Sequence, residues 1–188
     1  NINFEISDTQ RDLIELANDN MLVALRDAII FTLLVILIFL GNFRAIAAAT
    51  VTIPMVFFST MAVIWLTGGE LNIVIYTAII LALGMLADDA VVVLENVERH
   101  LNELKEDLDT AIVNGTKEVI APIWAGTLAT IFVVFPLMFI GGFPEKIFKP
   151  LIFTLIIALL ASFFLSITFI PRLLKIFFKN GTAKTKIE

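Results

Sequence analysis

Five apolar blocks, each close to twenty residues long, dominate this chain: residues 22–40, 45–66, 73–94, 121–140 and 151–170. A helix of about 20 apolar residues crosses the ~30 Å hydrocarbon core of a bilayer. Only helices and closed barrels satisfy their own backbone polar groups there. Barrel strands are ~10 residues of alternating polarity, which these blocks are not. Composition agrees, with 59% hydrophobic and 16% charged residues, against about 25% charged in soluble domains. The expected class is an all-α membrane protein, a five-span transmembrane helix bundle. An ordinary soluble enzyme, a disulfide scaffold and a disordered chain are excluded. Cysteine is absent, so there is no disulfide or thiol site to place.

Lysine and arginine sort by side. Nine of the thirteen, Arg44, Arg99, Lys105, Lys117, Arg172, Lys175, Lys179, Lys184 and Lys186, follow the first, third and fifth blocks. The positive-inside rule puts those segments in the cytoplasm. The expected protein is multi-pass in a bacterial-type inner membrane, with a periplasmic N-terminus and a cytoplasmic C-terminus. The acidic start, with Glu5, Asp8, Asp12, Glu15 and Asp19, is not a signal peptide. An outside N-terminus of this kind reads as a piece of a larger protein whose export-directing span lies upstream.

Along the chain, residues 1–8 read as the end of an external domain, with a strand end at Asn3–Ile6 and a helix N-cap at Ser7 or Asp8. Residues 9–175 form the transmembrane part and 176–188 a basic cytoplasmic tail. Gly41–Arg44 and Thr67–Glu70 read as tight turns, Pro171 as the exit of the last span. Leu101, Leu104, Leu108 and Ile112 recur at helical spacing. They predict an amphipathic helix over about 98–113, lying on the cytoplasmic membrane surface or against other helix ends and broken by Asn114-Gly115-Thr116.

One place carries chemistry: Asp88-Asp89, inside the third block. An aspartate at the centre of a membrane helix costs ~3 kcal/mol to insert. The bland alternative ends the span at Ala87 and leaves the pair among headgroups. From Ile73 to Ala87, however, a helix rises only about 22 Å, short of the core thickness, and Ala90–Leu94 is apolar again. The pair therefore lies ~8 Å to the cytoplasmic side of the middle of the span, near Leu83. Adjacent residues point about 100° apart, so both carboxylates face a bundle interior only as a wedge between helices. Gly84, four residues earlier, would let a neighbouring helix come close. Buried carboxylates of this kind mark ion pathways and proton relays. Within the blocks the only basic residue is Arg26, near the outer end of the first. Either the carboxylates are protonated or their partner lies on another chain segment. His100, the single histidine, reads as a solvated residue at headgroup level. The scattered methionines read as packing. There is no metal-ligand cluster, phosphate loop, Ser/His/Asp set or nucleic-acid patch.

The run Gly84-Met-Leu-Ala-Asp88-Asp89-Ala-Val-Val-Val-Leu-Glu95-Asn96-Val-Glu98-Arg99 resembles the fourth transmembrane helix of the resistance-nodulation-division exporters, in the sense G-x-x-x-D-D-A-x-V-x-x-E-N-x-E-R. Leu40-Gly-Asn42-Phe43-Arg44 is similar to the turn after that family's second helix, and Gly141-Gly142 with Phe148 to the turn between its fifth and sixth. The resemblance runs from about Phe4 to Lys175, as the second to sixth helices of the N-terminal half.

It implies twelve helices in two pseudo-symmetric halves, two large periplasmic domains and a homotrimer, joined by a periplasmic adaptor and an outer-membrane channel. It makes Asp88 and Asp89 the proton relay, partnered by an intramembrane lysine in the second half, and places Glu95, Asn96, Glu98 and Arg99 at the cytoplasmic end of the motif. The double aspartate resembles the hydrophobe/amphiphile (multidrug) branch; the heavy-metal branch more often has one acid here. The coupling ion is the proton and no cofactor is implied. The partners are the lipid bilayer and the second half of the protein, with no nucleic acid.

The expected function is the proton-coupling part of an exporter, inactive when alone and carrying no assignable substrate residue. A lipid- or protein-export motor of related architecture and a non-transporting helix bundle are the alternatives. An intramembrane aspartyl protease is disfavoured, because adjacent residues on one helix splay apart and cannot share a proton across a gap.

Overall fold

The computed structural model describes residues 10–40, 43–69 and 72–181, with side chains except at 10–18, 36, 39–40, 43–46, 48–49, 86–88 and 177–181. The strand end at Asn3–Ile6, the cap at Ser7 or Asp8, Gly41–Asn42, Glu70 and the tail from residue 182 lie outside the described residues. The elements in chain order are α1 (Gln10–Leu40), α2 (Phe43–Leu66), α3 (Ile73–Asn102), α4 (Leu108–Val134), a 3-10 turn (Phe135–Phe139) and α5 (Gly142–Gly181). There is no strand among the described residues. Each of the first three apolar blocks lies within one α-helix and the fifth within α5; the fourth runs through α4 and the 3-10 turn. Among the described residues three helical segments are long and apolar enough to cross a membrane: those over Ile73–Asn102, Leu108–Phe139 and Gly142–Ile176. The described part of α2 adds a shorter apolar stretch, Thr50–Leu66.

α3 and α5 are the central pair. α3 touches all four other α-helices, and α5 packs on α2, α3, α4 and the 3-10 turn. The buried apolar positions of α3, Ile75, Ala78, Ile79, Ala82, Leu83, Ala90, Val93, Leu94 and Val97, fall along one face at spacings of three, four and seven residues. That is the stripe a 3.6-residue helix presents to a core. α5 answers with a ladder of small side chains, Thr154, Ala158, Ser162 and Ser166, all buried. Between helices in lipid there is no hydrophobic driving force, so close van der Waals contact through small residues holds them together. Outward, Phe31, Phe58, Trp65 and Phe132 are each at least 66% exposed, an apolar surface that suits lipid and not water.

Several boundaries depart from the sequence expectation. No amphipathic helix runs over 98–113. α3 continues to Asn102, the chain turns through Glu103–Asp107, and α4 starts at Leu108. Lys105 sits at φ 57, a left-handed conformation that no helix interior accepts. Asp107 then caps α4, its Oδ2 accepting from the Thr110 N–H at 3.2 Å. The Leu101, Leu104, Leu108 and Ile112 spacing is shared by two helix ends, and Leu104 itself is exposed. Asn114-Gly115-Thr116 does not break a helix; it lies inside α4. Pro136 does mark a change: with no N–H to donate, it sits where α4 gives way to the 3-10 turn. Gly141 and Gly142, at φ 78 and 71, then reverse the chain with backbone angles that side chains resist. Pro171 lies within α5, which runs on to Gly181, so residues 176–181 are helical. Removing the cap, in Asp107→Ala, is expected to cost about 1 kcal/mol, read as a lower unfolding temperature in detergent.

Candidate functional site

α3 does not end at Ala87; the aspartate pair sits in its middle. Asp89 is partly buried, on the flank of the stripe that meets α5. Ser162, 1% exposed, donates its hydroxyl hydrogen to Asp89 Oδ2 at 3.0 Å. The small-residue ladder of α5 is what brings that hydroxyl within reach. A cavity of about 340 Å³ opens beside the carboxylate, lined by Met85, Asp89, Val92, Pro122, Ile123, Gly126, Thr127, Thr130 and Leu159. An acid that meets both a hydroxyl donor and open space can change its proton without leaving the interior. The backbone of Asp88 is in α3; its side chain lies outside the described residues.

No helix among the described residues closes on Gly84. It is exposed, and a Cβ there would meet nothing within 4 Å. The close helix approach is made by Gly115 of α4, where a Cβ would stand 2.9 Å from the Val97 Cα of α3.

Two motif residues beyond the aspartates, Asn96 and Arg99, reach α4. Asn96 Nδ2 donates to the Gly115 carbonyl at 2.8 Å and to Glu118 Oε2 at 3.2 Å. Arg99 holds Asn96 Oδ1 through Nε at 3.0 Å and Glu118 through Nη2 at 2.7 Å. His100 corrects the sequence reading: it is 6% exposed, not solvated. Its Nδ1 lies 2.9 Å from Glu106 Oε2 and its Nε2 2.8 Å from Glu118 Oε2. These groups lie outside the apolar blocks 73–94 and 121–140. Glu118, chiefly, and Glu106 hold the imidazole protonated above the usual 6.5, against a smaller opposing effect of burial. The same His100 bond, then Asn96 and then Arg99, draws the Glu118 carboxyl down to about 2. Glu95 is exposed and, with Glu98, Arg99, Asn102 and Glu103, lines a groove of about 420 Å³. The partners Ser162, Glu106 and Glu118 were not singled out from the sequence. The ladder at 154, 158, 162 and 166 was the available signal for the first. The two glutamates, which reach His100 from 6 and 18 residues away, left no local one.

A sequence profile of the AcrB/AcrD/AcrF family matches residues 2–187. The chain belongs to that family. It is part of a resistance-nodulation-division efflux transporter, a multi-pass membrane protein, as the motif between Gly84 and Arg99 led one to expect. It is 33% identical to an uncharacterized transporter of Haemophilus influenzae over 162 residues, 86% of this chain and 16% of that protein. It is 33% identical to the swarming motility protein SwrC of Bacillus subtilis over 172 residues, 90% of this chain and 16% of that protein. Against the multidrug resistance protein MdtC of Escherichia coli the identity is 33% over 144 residues, 77% of this chain and 14% of that protein. The chain thus spans about a sixth of the length of these relatives.

Proposed function

We propose that this chain is the proton-coupling transmembrane part of a proton-driven exporter of hydrophobic or amphiphilic compounds, with Asp88 and Asp89 as the proton relay. The observation that carries the reading is Asp89 on the middle of α3, hydrogen-bonded by Ser162 from the middle of α5. An ionisable group between the two central helices is expensive in a membrane and marks an ion path. Protonation removes a buried charge and weakens its hold on any basic partner, which lets helix packing shift between two arrangements. That partner is an intramembrane lysine in the second half of the full-length protein. The multidrug naming of one relative supports the hydrophobe/amphiphile branch. No cofactor is needed, only the proton. The full-length protein works as a homotrimer in the inner membrane, with a periplasmic adaptor and an outer-membrane channel. Reconstituted in vesicles, it should show proton flux that depends on exported substrate, whereas this chain alone should show none. Substrate-independent flux, or substrate-driven flux from the chain alone, contradicts the reading.

The five-span topology, with a periplasmic N-terminus, rests on the basic asymmetry. Single cysteines at Asn3, Gly69 and Gly142 should react with an impermeant thiol reagent added outside the cell. Cysteines at Asn42, Asn102 and Lys184 should react only after the membrane is opened. The opposite labelling pattern overturns the orientation.

A further inference from the structure

The charged cluster where α3 turns into α4 is unexplained by proton coupling at the aspartates. It lies 11 to 12 residues further along α3, about 17 Å at ~1.5 Å per residue. Three elements meet on one imidazole: His100 from α3, Glu106 from the turn and Glu118 from α4. A neutral imidazole has one N–H donor and one bare nitrogen, whereas the protonated ring donates from both. Both of its nitrogens here lie within 2.9 Å of a carboxylate oxygen. Glu118 is kept ionised by Asn96 and Arg99, and Asn114 Nδ2 approaches both oxygens of Glu106 at 3.3 Å. The proton that completes the set therefore belongs on His100. Once it leaves, a bare ring nitrogen faces a carboxylate oxygen, lone pair against lone pair, and one contact must open.

We propose that His100, Glu106 and Glu118 form a pH-sensitive clamp, closed when the imidazole is protonated, that fastens the end of α3 to the turn and to α4. Two neighbouring cations at this end are engaged elsewhere than on the ring. Arg99 serves Glu118, and from α5 Lys175 reaches Asp109 in the first turn of α4 at 2.6 Å. No other charged side chain among the described residues is bonded to the ring. The sign follows from the raised His100 pKa. The clamp's stabilisation is fully present below the unfolded value of 6.5 and is lost as pH rises through the higher folded value. The switching range thus lies above 6.5. Joined to the exporter reading, on which this consequence alone rests, the clamp faces the compartment that receives the protons and tightens as that compartment acidifies.

The test uses the full-length protein in lipid nanodiscs. Histidine labelled with nitrogen-15 reports ring protonation, with the His100 signal assigned by its loss in His100→Gln. Hydrogen exchange, corrected for the intrinsic pH dependence, reports opening over residues 100–118. The expected titration midpoint lies above 6.5, with protection across the turn falling about tenfold on the alkaline side. Glu106→Gln, which keeps the fold and one carboxylate, should lower the midpoint by about one pH unit and carry the opening with it. His100→Gln should leave protection independent of pH. A midpoint at or below 6.5 in the native protein overturns the clamp. So does protection that ignores the titration, or the same pH dependence persisting in His100→Gln. Neither readout involves transport, so failure here is separate from failure of the exporter reading.

Discussion

Asp89→Asn in the full-length transporter is expected to abolish efflux at matched protein levels, and Asp88→Asn to do the same. Asparagine nearly matches aspartate in size and accepts the Ser162 hydrogen bond, but it cannot ionise, so insertion and packing survive while the charge cycle does not. The energy at stake is set by the gradient. One pH unit supplies ~1.4 kcal/mol per proton, and a potential of 100 mV adds ~2.3 kcal/mol for a charge that crosses fully. Only a group that takes its proton from one side and gives it to the other collects that energy.

Two comparison variants separate this from a merely structural role. Ser162→Ala keeps the carboxylate and removes one hydrogen bond to it, a loss of about 1.5–3 kcal/mol for a charged acceptor, so efflux should fall without vanishing. Glu95→Gln alters an exposed carboxylate six residues further along the same helix and should be milder still. If both aspartate variants export at nearly the native rate, the pair is not the proton site.

Much of this site was legible because expensive residues stand out against an apolar background. Two adjacent acids within a block of Val, Ala and Leu need a reason, and helix rise alone argued that α3 runs through them. The helices were legible for the same reason, since block length is fixed by bilayer thickness. Cheap residues were not legible. Ser162 is one hydroxyl on an apolar helix, and only its place in the 154–166 ladder marks it. His100 was assigned by depth, as a group near headgroups. Its burial depends on where the chain turns, and that turn was hidden because Leu101, Leu104, Leu108 and Ile112 kept helical spacing across it. Asp107, three residues before Thr110 and just ahead of an apolar run, was the overlooked start signal.

Gly115 misled, and the second large effect follows from it. It was read as a helix break, whereas it lies inside α4 at the contact with α3. A Cβ on Gly115 would lie 2.9 Å from Val97 Cα, 3.0 Å from its nitrogen and 3.1 Å from its Cγ2. Two of these atoms are backbone, so the strain cannot be relieved by a rotamer change; α3 and α4 must move apart. Overpacking of this kind typically costs 1–3 kcal/mol, and for alanine about 1 kcal/mol of better helix propensity offsets part of it. Gly115→Ala should therefore be mildly destabilising. Gly115→Leu gains as little from propensity and brings three more carbons, so its cost should reach or exceed the top of that range. The separation also draws Asn96 off the Gly115 carbonyl, 2.8 Å away, and with it loosens the Arg99 and His100 bonds to Glu118. Gly84→Ala, by contrast, should be neutral or stabilising by about 0.5–1 kcal/mol in this chain. Unfolding midpoints of the three variants in one detergent decide the matter. A Gly115→Leu chain as stable as the native one would mean that α3 and α4 do not meet at Val97.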